Sequence, residues 1–324
     1  MHNCHLIKIM TKIKILYIIP VVAVSMLMFA ACNDRSVSDN TLGETAFVPA
    51  ENITAATSDQ PLVVKLAVNE AYCKLTACSC IHDLASRDYA ELQELLKSKY
   101  NIDLQITYFI EEYDLADTVL SGQYDGFISK PWLIYNQVYN QSEERDKNLK
   151  RIADLLDINN NQWLTGIFIV KKDSPLNSMS EINGKVFVAG QQDSYEKYHS
   201  PLTLLAKDNI VPSEIINKSS CLENLNILMD GDADVAVISD YTLTASCAVD
   251  VANPEDFSII GETEQTPLCS VILDMSKVNE SEALRLQKAL LELSGDNAPA
   301  GLISKGFVHP AKWTPLRFSE SSKK

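Results

Sequence analysis

The sequence predicts an α/β protein with length enough for two lobes, and three observations carry that prediction. Short apolar runs of strand length alternate with stretches in which apolar residues recur at helical spacing, the order that builds mostly parallel sheets. Glycines and polar turns bound the runs, as Gly184 and Gly190 bound Val186–Ala189. The chain has 324 residues, 46% of them hydrophobic, enough for two bodies with cores of their own.

Residues 1–31 precede that fold. Lys8, Lys12 and Lys14 give a basic start, Ile15–Met28 is an apolar run too short to span a membrane stably, and Ala30-Ala31-Cys32 sets small residues before a cysteine. The segment resembles a bacterial lipoprotein signal, with Phe29 where that signal prefers Leu. It implies cleavage after residue 31 and lipidation of Cys32; an ordinary secretory signal is the alternative, and either one exports the chain. Removing residues 1–31 takes away three lysines and no acid, which moves the formal net charge from −15 to −18. So acidic a surface repels nucleic acid and anionic headgroups, which excludes nucleic acid as a partner and leaves the lipid as the only membrane contact. Residues 32–60, rich in Ser, Thr, Asp and Asn without apolar periodicity, read as a flexible tether.

The elements then follow in order. Leu62–Val68 is an apolar strand. Tyr89, Leu92, Leu95 and Leu96 mark a helix face that stops at Asn101, and Ile102–Phe109 alternates as a strand. Leu115, Ala116, Val119 and Leu120 mark a helix ended by Gly122, Asp125–Ser129 is a strand, and Pro131 suits the first turn of a helix. Gly166–Val170 is a strand and Ser180–Gly184 a helical turn closed by glycine. The Val186–Ala189 strand leads through the polar loop Gln191–Asp193 into a helix from Ser194, with Leu202, Leu204 and Leu205 on its apolar side. Glu214–Lys218 (strand), Leu222–Asp230 (helix), Asp234–Ser239 (strand) and Tyr241–Ala248 (helix) come next. Phe257–Ile260 and Ser270–Asp274 are strands, and Ala283, Leu284, Leu286, Leu290 and Leu291 form the face of a last helix.

Four stretches, LSGQYDGFISKP from Leu120, TGIFIVKKDSP from Thr165, KVFVAGQQDSYEKYHSP from Lys185 and MDGDADVAVISD from Met229, share their order and spacing with a known family. The chain resembles the phosphate/phosphite/phosphonate family of ABC-transporter substrate-binding proteins over residues 61–310. The resemblance implies a type II periplasmic-binding-protein architecture with a hinge of two crossover segments. Lobe one would comprise residues 61–162 plus 266–324 and lobe two residues 163–265, with the Phe257 and Ser270 segments leading back to lobe one. It further implies an extracytoplasmic monomer that captures a small polar or anionic solute, phosphonate-like or related, between the lobes and delivers it to an ABC permease. No enzyme chemistry and no cofactor are then expected; there is no hydrolase elbow, no phosphate-binding Gly-rich loop and no HExxH.

In that family the turn after the Val186 strand cradles a phosphoryl group on small hydroxyl residues and backbone N–H donors. Here Asp193 lies in the loop, Ser194 keeps the first hydroxyl, and Tyr195 and Glu196 stand where the family has Thr and Ser. Tyr198 matches, and His199 is a further donor. Glu196 either turns to solvent, favouring the helix dipole, or repels a bare phosphonate. On lobe one, Ser129, Lys130 and Trp132 follow a strand. Lys130 replaces the family's usual Gly and can hold a carboxylate or phosphoryl group, while Trp132 stacks on a flat ligand or fills the core. Tyr72 follows the first strand; Asp240 and Tyr241 end the last strand of lobe two, where Asp240 also reads as a helix cap.

Six cysteines follow Cys32: Cys73, Cys78, Cys80, Cys221, Cys247 and Cys269. Three readings stay open. Disulfides pin loops in an exported protein. Cys73, Cys78, Cys80 and His82, joined by Cys221 at the start of a lobe-two helix, form a soft-metal site for copper or zinc. Or a cysteine at a helix start is a reactive thiol. A shared site requires a first-lobe cysteine to approach Cys221. The alternative functions are accordingly a metal-binding or redox-sensing lipoprotein on this fold and, second, a cysteine-dependent enzyme, since a pyrimidine-synthase family shares the fold and carries a cysteine cluster.

The leader generates the first prediction. Cys32→Ser should leave uncleaved precursor or release soluble protein, read by cell fractionation and intact mass; unchanged maturation and fractionation would disprove lipidation.

Overall fold

The computed structural model describes residues 60–69, 87–109, 118, 121–141, 146–192, 194–244 and 252–314, all within the unit Thr57–Lys324. The leader, and the tether up to residue 59, lie outside these residues. In chain order the elements are β1 (Leu62–Asn69), α1 (Ala90–Tyr100), β2 (Ile102–Tyr108), β3 (Gly126–Ser129), α2 (Pro131–Gln141), β4 (Leu149–Leu155), β5 (Trp163–Leu164) and β6 (Gly166–Lys171). There follow β7 (Val186–Ala189), α3 (Ser200–Lys207), β8 (Glu214–Asn217), α4 (Cys221–Asp230), β9 (Val235–Ser239), β10 (Phe257–Glu262), β11 (Thr266–Pro267), β12 (Ser270–Asp274), α5 (Glu280–Glu292) and β13 (Phe307–Val308).

Alternation along the strands decides the layering, because successive side chains leave a strand on opposite faces. In β1, Leu62, Val64, Leu66 and Val68 enter one core with Leu92 and Leu96 of α1 and Leu286 and Leu290 of α5, while Ala67 enters another with Trp132 and Leu133 of α2. In β6, Ile167 and Ile169 face Leu225 and Leu228 of α4, while Phe168 and Val170 face Leu205 of α3. Each sheet is therefore covered on both faces, which is why its strands read as continuous apolar runs.

The first sheet has the order β13-β4-β12-β3-β1-β2 and the second β10-β6-β9-β7-β8. β1 runs parallel to β2 and β3, and β7 parallel to β8 and β9. β12, returning from the second lobe, runs antiparallel between β3 and β4, and β6 runs antiparallel to β9. Both sheets are thus mixed, not mostly parallel, because every strand that enters from the other lobe arrives reversed. Between the sheets β5 and β11 form their own antiparallel pair, with Thr266 opposite Leu164 and Pro267 opposite Trp163. These are the two crossovers. The expectation that Phe257–Ile260 leads to lobe one is corrected: β10 pairs with β6 as an edge of the second sheet, and the crossing lies beyond it.

Two local expectations also change. After Ser239 the chain makes a 3-10 turn, Asp240–Thr244, and residues 245–248 of the expected helix lie outside the described residues. In α5, Leu284 is exposed; Ala283, Leu286, Ala289 and Leu290 are the buried face.

Asp154 of β4 ties the first sheet together. Its side chain is fully buried; Oδ1 accepts from Ser270 Oγ of β12 at 2.7 Å and lies 2.9 Å from Arg151 Nε, and Oδ2 accepts from Ala311 N at 3.1 Å. The Arg151 guanidinium lies 5.3 Å from the centre of the Trp313 ring. Deleting one member of a buried ion pair leaves the other uncompensated and costs about 3–5 kcal/mol. Asp154→Ala should lose stability on that scale, measured by urea denaturation.

Candidate functional site

The carboxyl ends of strands from both sheets deliver the polar side chains that meet between the lobes. β3 ends at Ser129, opposite Asn69 of β1; Lys130 follows, and Pro131 opens α2 without needing an N–H partner. On the second lobe β7 ends at Ala189 and β9 at Ser239. After β7 the chain forms a π-helical turn, Tyr195–His199, before α3. Ser194 caps that turn by accepting from Lys197 N at 3.3 Å, and the N–H groups of Tyr198 and His199 both donate to Ser194 O. Such widened turns are rare and concentrate at functional sites.

Glycine lets this turn sit against the sheet. A Cβ on Gly166 would lie 1.9 Å from Glu196 O, and one on Gly190 would lie 2.5 Å from Lys197 Cβ. Gly166 N also donates to Thr263 Oγ1 at 2.8 Å, fixing the start of β6 beside the crossover.

The turn carries Glu196 inward, not to solvent: only 1% of the residue is exposed. Its Oε1 lies 3.4 Å from Lys130 Nζ of the first lobe and accepts from Ser239 Oγ at 3.2 Å. Oε2 is buried without a hydrogen-bond partner. Burial alone pushes the carboxyl pKa up, but the charges of Lys130 and Lys197, with hydrogen bonds from its own backbone amide and Ser194, together outweigh it and hold the pKa at about 2. Asp240, the next residue after Ser239, is half-buried; burial pushes its pKa up and the Glu196 charge adds to that, against hydrogen bonds from Tyr241 and Thr165.

An aromatic contact closes beside the ion pair. Tyr195 is 3% exposed and belongs to the first-lobe cluster of Ala67, Phe127, Trp132 and Ile134, although its backbone is in the second lobe. The Trp132 ring lies 5.4 Å from that of Tyr195 and 4.8 Å from that of His199, and Tyr198 meets His199 edge-on at 5.1 Å. Burial pushes the Tyr195 phenol up to about 12, so it stays neutral. The Trp132–Tyr195 pair adds about 0.5–1.5 kcal/mol beyond its burial.

The structure thus brings together Lys130, Trp132, Ser194, Tyr195, Tyr198, His199 and Asp240; Tyr241 follows Asp240 in its turn, and Ser129, next to Lys130 in the chain, is fully buried with its hydroxyl without a hydrogen-bond partner. Cys221 reaches the site only indirectly. It is 2% exposed in the second-lobe core, and its thiol turns to Ser239 Oγ at 3.8 Å. Cys269 packs in the first-lobe core. Tyr72, Cys73, Cys78, Cys80, His82, Asp193 and Cys247 lie outside the described residues, as does Cys32. Among the described residues no group of three His, Cys, Asp or Glu is placed to hold a metal. Ser239 and Gly166 were not singled out from the sequence; the hydroxyl that ends a fully apolar strand, Val235–Ser239, was the available signal.

A carboxyl whose pKa falls from an ordinary 4.5 to about 2 on folding contributes stability that is complete above pH 4.5 and is lost as the pH drops toward 2. Glu196→Gln should therefore be less stable than the parent near neutral pH, and the difference should shrink through that acid window in urea melts taken at stepped pH.

Comparison with known proteins bears on this geometry. No curated protein matches the chain by sequence. The solved structures it resembles include a Xanthomonas citri protein, XAC2383, bound to ATP, with TM-score 0.58 and 14% identity over 77% of this chain and 91% of that one. PhnD1 from Prochlorococcus marinus in complex with methylphosphonate gives TM-score 0.54 and 13% identity over 78% and 93%. A binding protein component of an ABC phosphonate transporter from Pseudomonas aeruginosa gives 0.52 and 14% over 78% and 82%. At these identities the likeness shows the fold, the two-lobe type II architecture. Residues 82–312 match the family described as ABC transporter, phosphonate, periplasmic substrate-binding protein, and the chain belongs to that family of extracytoplasmic solute-binding proteins.

Proposed function

We propose that this chain is the solute-capturing subunit of an ABC importer, held to the cell envelope by a lipid on Cys32, which closes its lobes on a small polar solute and hands it to an inner-membrane permease. The observation that carries the reading is the meeting of Lys130 and Trp132 with Tyr195, Glu196 and His199 at the facing carboxyl edges of two sheets joined by two short crossovers. Hinged closure over such an edge buries the solute and excludes water. Capture needs no cofactor and no catalytic residue. The chain acts as a monomer in this scheme, since both walls of the site come from one polypeptide.

Native mass spectrometry of the lipoprotein extracted from its own envelope should show a retained small solute. Adding that solute to stripped protein should change the tryptophan emission, and Trp132→Phe should remove most of the change because Trp132 sits in the contact between lobes. Absence of both signals would overturn the proposal.

Simple phosphonates should bind the parent weakly, because the Glu196 carboxylate already holds Lys130 Nζ and Ser239 Oγ. Glu196→Ser frees both donors for an oxyanion and should raise methylphosphonate affinity roughly tenfold or more, as expected for recovered charge-assisted hydrogen bonds. Calorimetry that finds tight methylphosphonate binding by the parent would count against this arrangement.

A further inference from the structure

We propose that the solute carries a protonated amino or guanidino group and that Glu196 Oε2 accepts its N–H; this rests on solute capture between the lobes. The two oxygens of Glu196 differ. Oε1 has a lysine and a serine hydroxyl. Oε2 is buried and meets no donor at hydrogen-bond geometry, although its own backbone amide and the Ser194 side chain lie near the carboxyl. A carboxylate oxygen is only an acceptor when ionised, and a buried one left unmade is costly enough that folded proteins rarely keep it. The group is held ionised by its surroundings, so the missing partner is an N–H or O–H donor, and a cationic one matches the charge.

Lys130 is already committed to Oε1. Lys197 adds a second positive charge near the carboxyl, and its stem lies over Gly190. Asp240, the next residue after Ser239, has its pKa pushed up by burial and is near enough for the Glu196 charge to add to that. An anionic group entering here would meet Glu196 directly, whereas an ammonium or guanidinium would complete its hydrogen bonding.

The test uses the full chain in detergent. The solute it retains from its own envelope is identified by mass spectrometry, and ethylammonium, methylguanidinium and methylphosphonate are titrated as separate probes by saturation-transfer NMR. The expected result is a retained solute with a protonated nitrogen, saturation transfer to one of the two cations, and a loss of roughly tenfold to hundredfold in that affinity in Glu196→Gln, as for a charge-assisted hydrogen bond removed. Lys130→Met is the second variant. It releases Oε1 as well and should strengthen cation binding, whether or not Glu196→Gln keeps its fold by circular dichroism. A retained solute without an N–H cation, or methylphosphonate bound by the parent while both cations are not, overturns this inference and leaves solute capture standing. No retained solute and no bound probe overturns capture, and this inference with it.

Discussion

The site depends on one constraint: a carboxylate has been taken fully out of water and must be compensated there. Desolvating Glu196 is expensive, and a lone buried charge would neutralise itself by taking up a proton. It stays ionised because Lys130 comes from the other lobe, Lys197 lies one residue on, and Ser239 donates from the end of β9. Much else follows from keeping these groups in place. Gly166 and Gly190 make room for the turn, the π-helical widening aims the side chain inward, and Cys221 packs behind the serine. The glycines are a matter of space here, not of backbone angle.

The ion pair is one of several contacts that join the two lobes. Tyr195 contributes its ring to a cluster made otherwise of first-lobe residues. The same short turn therefore supplies an electrostatic and an apolar contact to the opposite lobe. Apolar burial gives adhesion without direction, at roughly 25 cal/mol per Å²; the lysine–carboxylate pair gives register. Among the described residues, the five-residue turn Tyr195–His199 meets Lys130 and Trp132 of the opposite lobe.

Much of the fold was legible in the sequence because both sheets are covered on both faces. Runs such as Val186–Ala189 and Val235–Ser239 are apolar throughout, and glycines and polar turns delimit them. What failed was whatever depends on direction or on partners far along the chain. Lys130 and Glu196 are 66 residues apart, and neither letter announces the other. Trp132 reads as a residue that stacks on a ligand or fills the core, and no single letter announces its packing on Tyr195. Cys221 was placed correctly at a helix start, but the start of a helix does not say which way its first side chain turns. Leu284 reads as a core residue by letter and spacing, yet falls just off the buried stripe of α5. Phe257–Ile260 is a strand as expected; its pairing partner, which decides the lobe, is fixed by topology.

The strand order has a consequence for how the chain reaches this state. The second sheet is built from one continuous stretch, residues 166–262, whereas the first takes strands from both sides of it. β12 does not add at an edge; it inserts between β3 and β4. A chain emerging amino end first therefore presents two unpaired strand edges that wait until some 140 residues later for their shared neighbour, measured from Ser129 to Ser270. Pairings of such long sequence separation are slow to form, while the uninterrupted lobe has only local searches to complete. The antiparallel pair of β5 and β11 then acts as a guide as well as a hinge, since joining Trp163 to Pro267 brings β12 back to the sheet it must enter. The crossover on which a finished binding protein flexes is, earlier in its life, the splint on which its interrupted lobe is assembled.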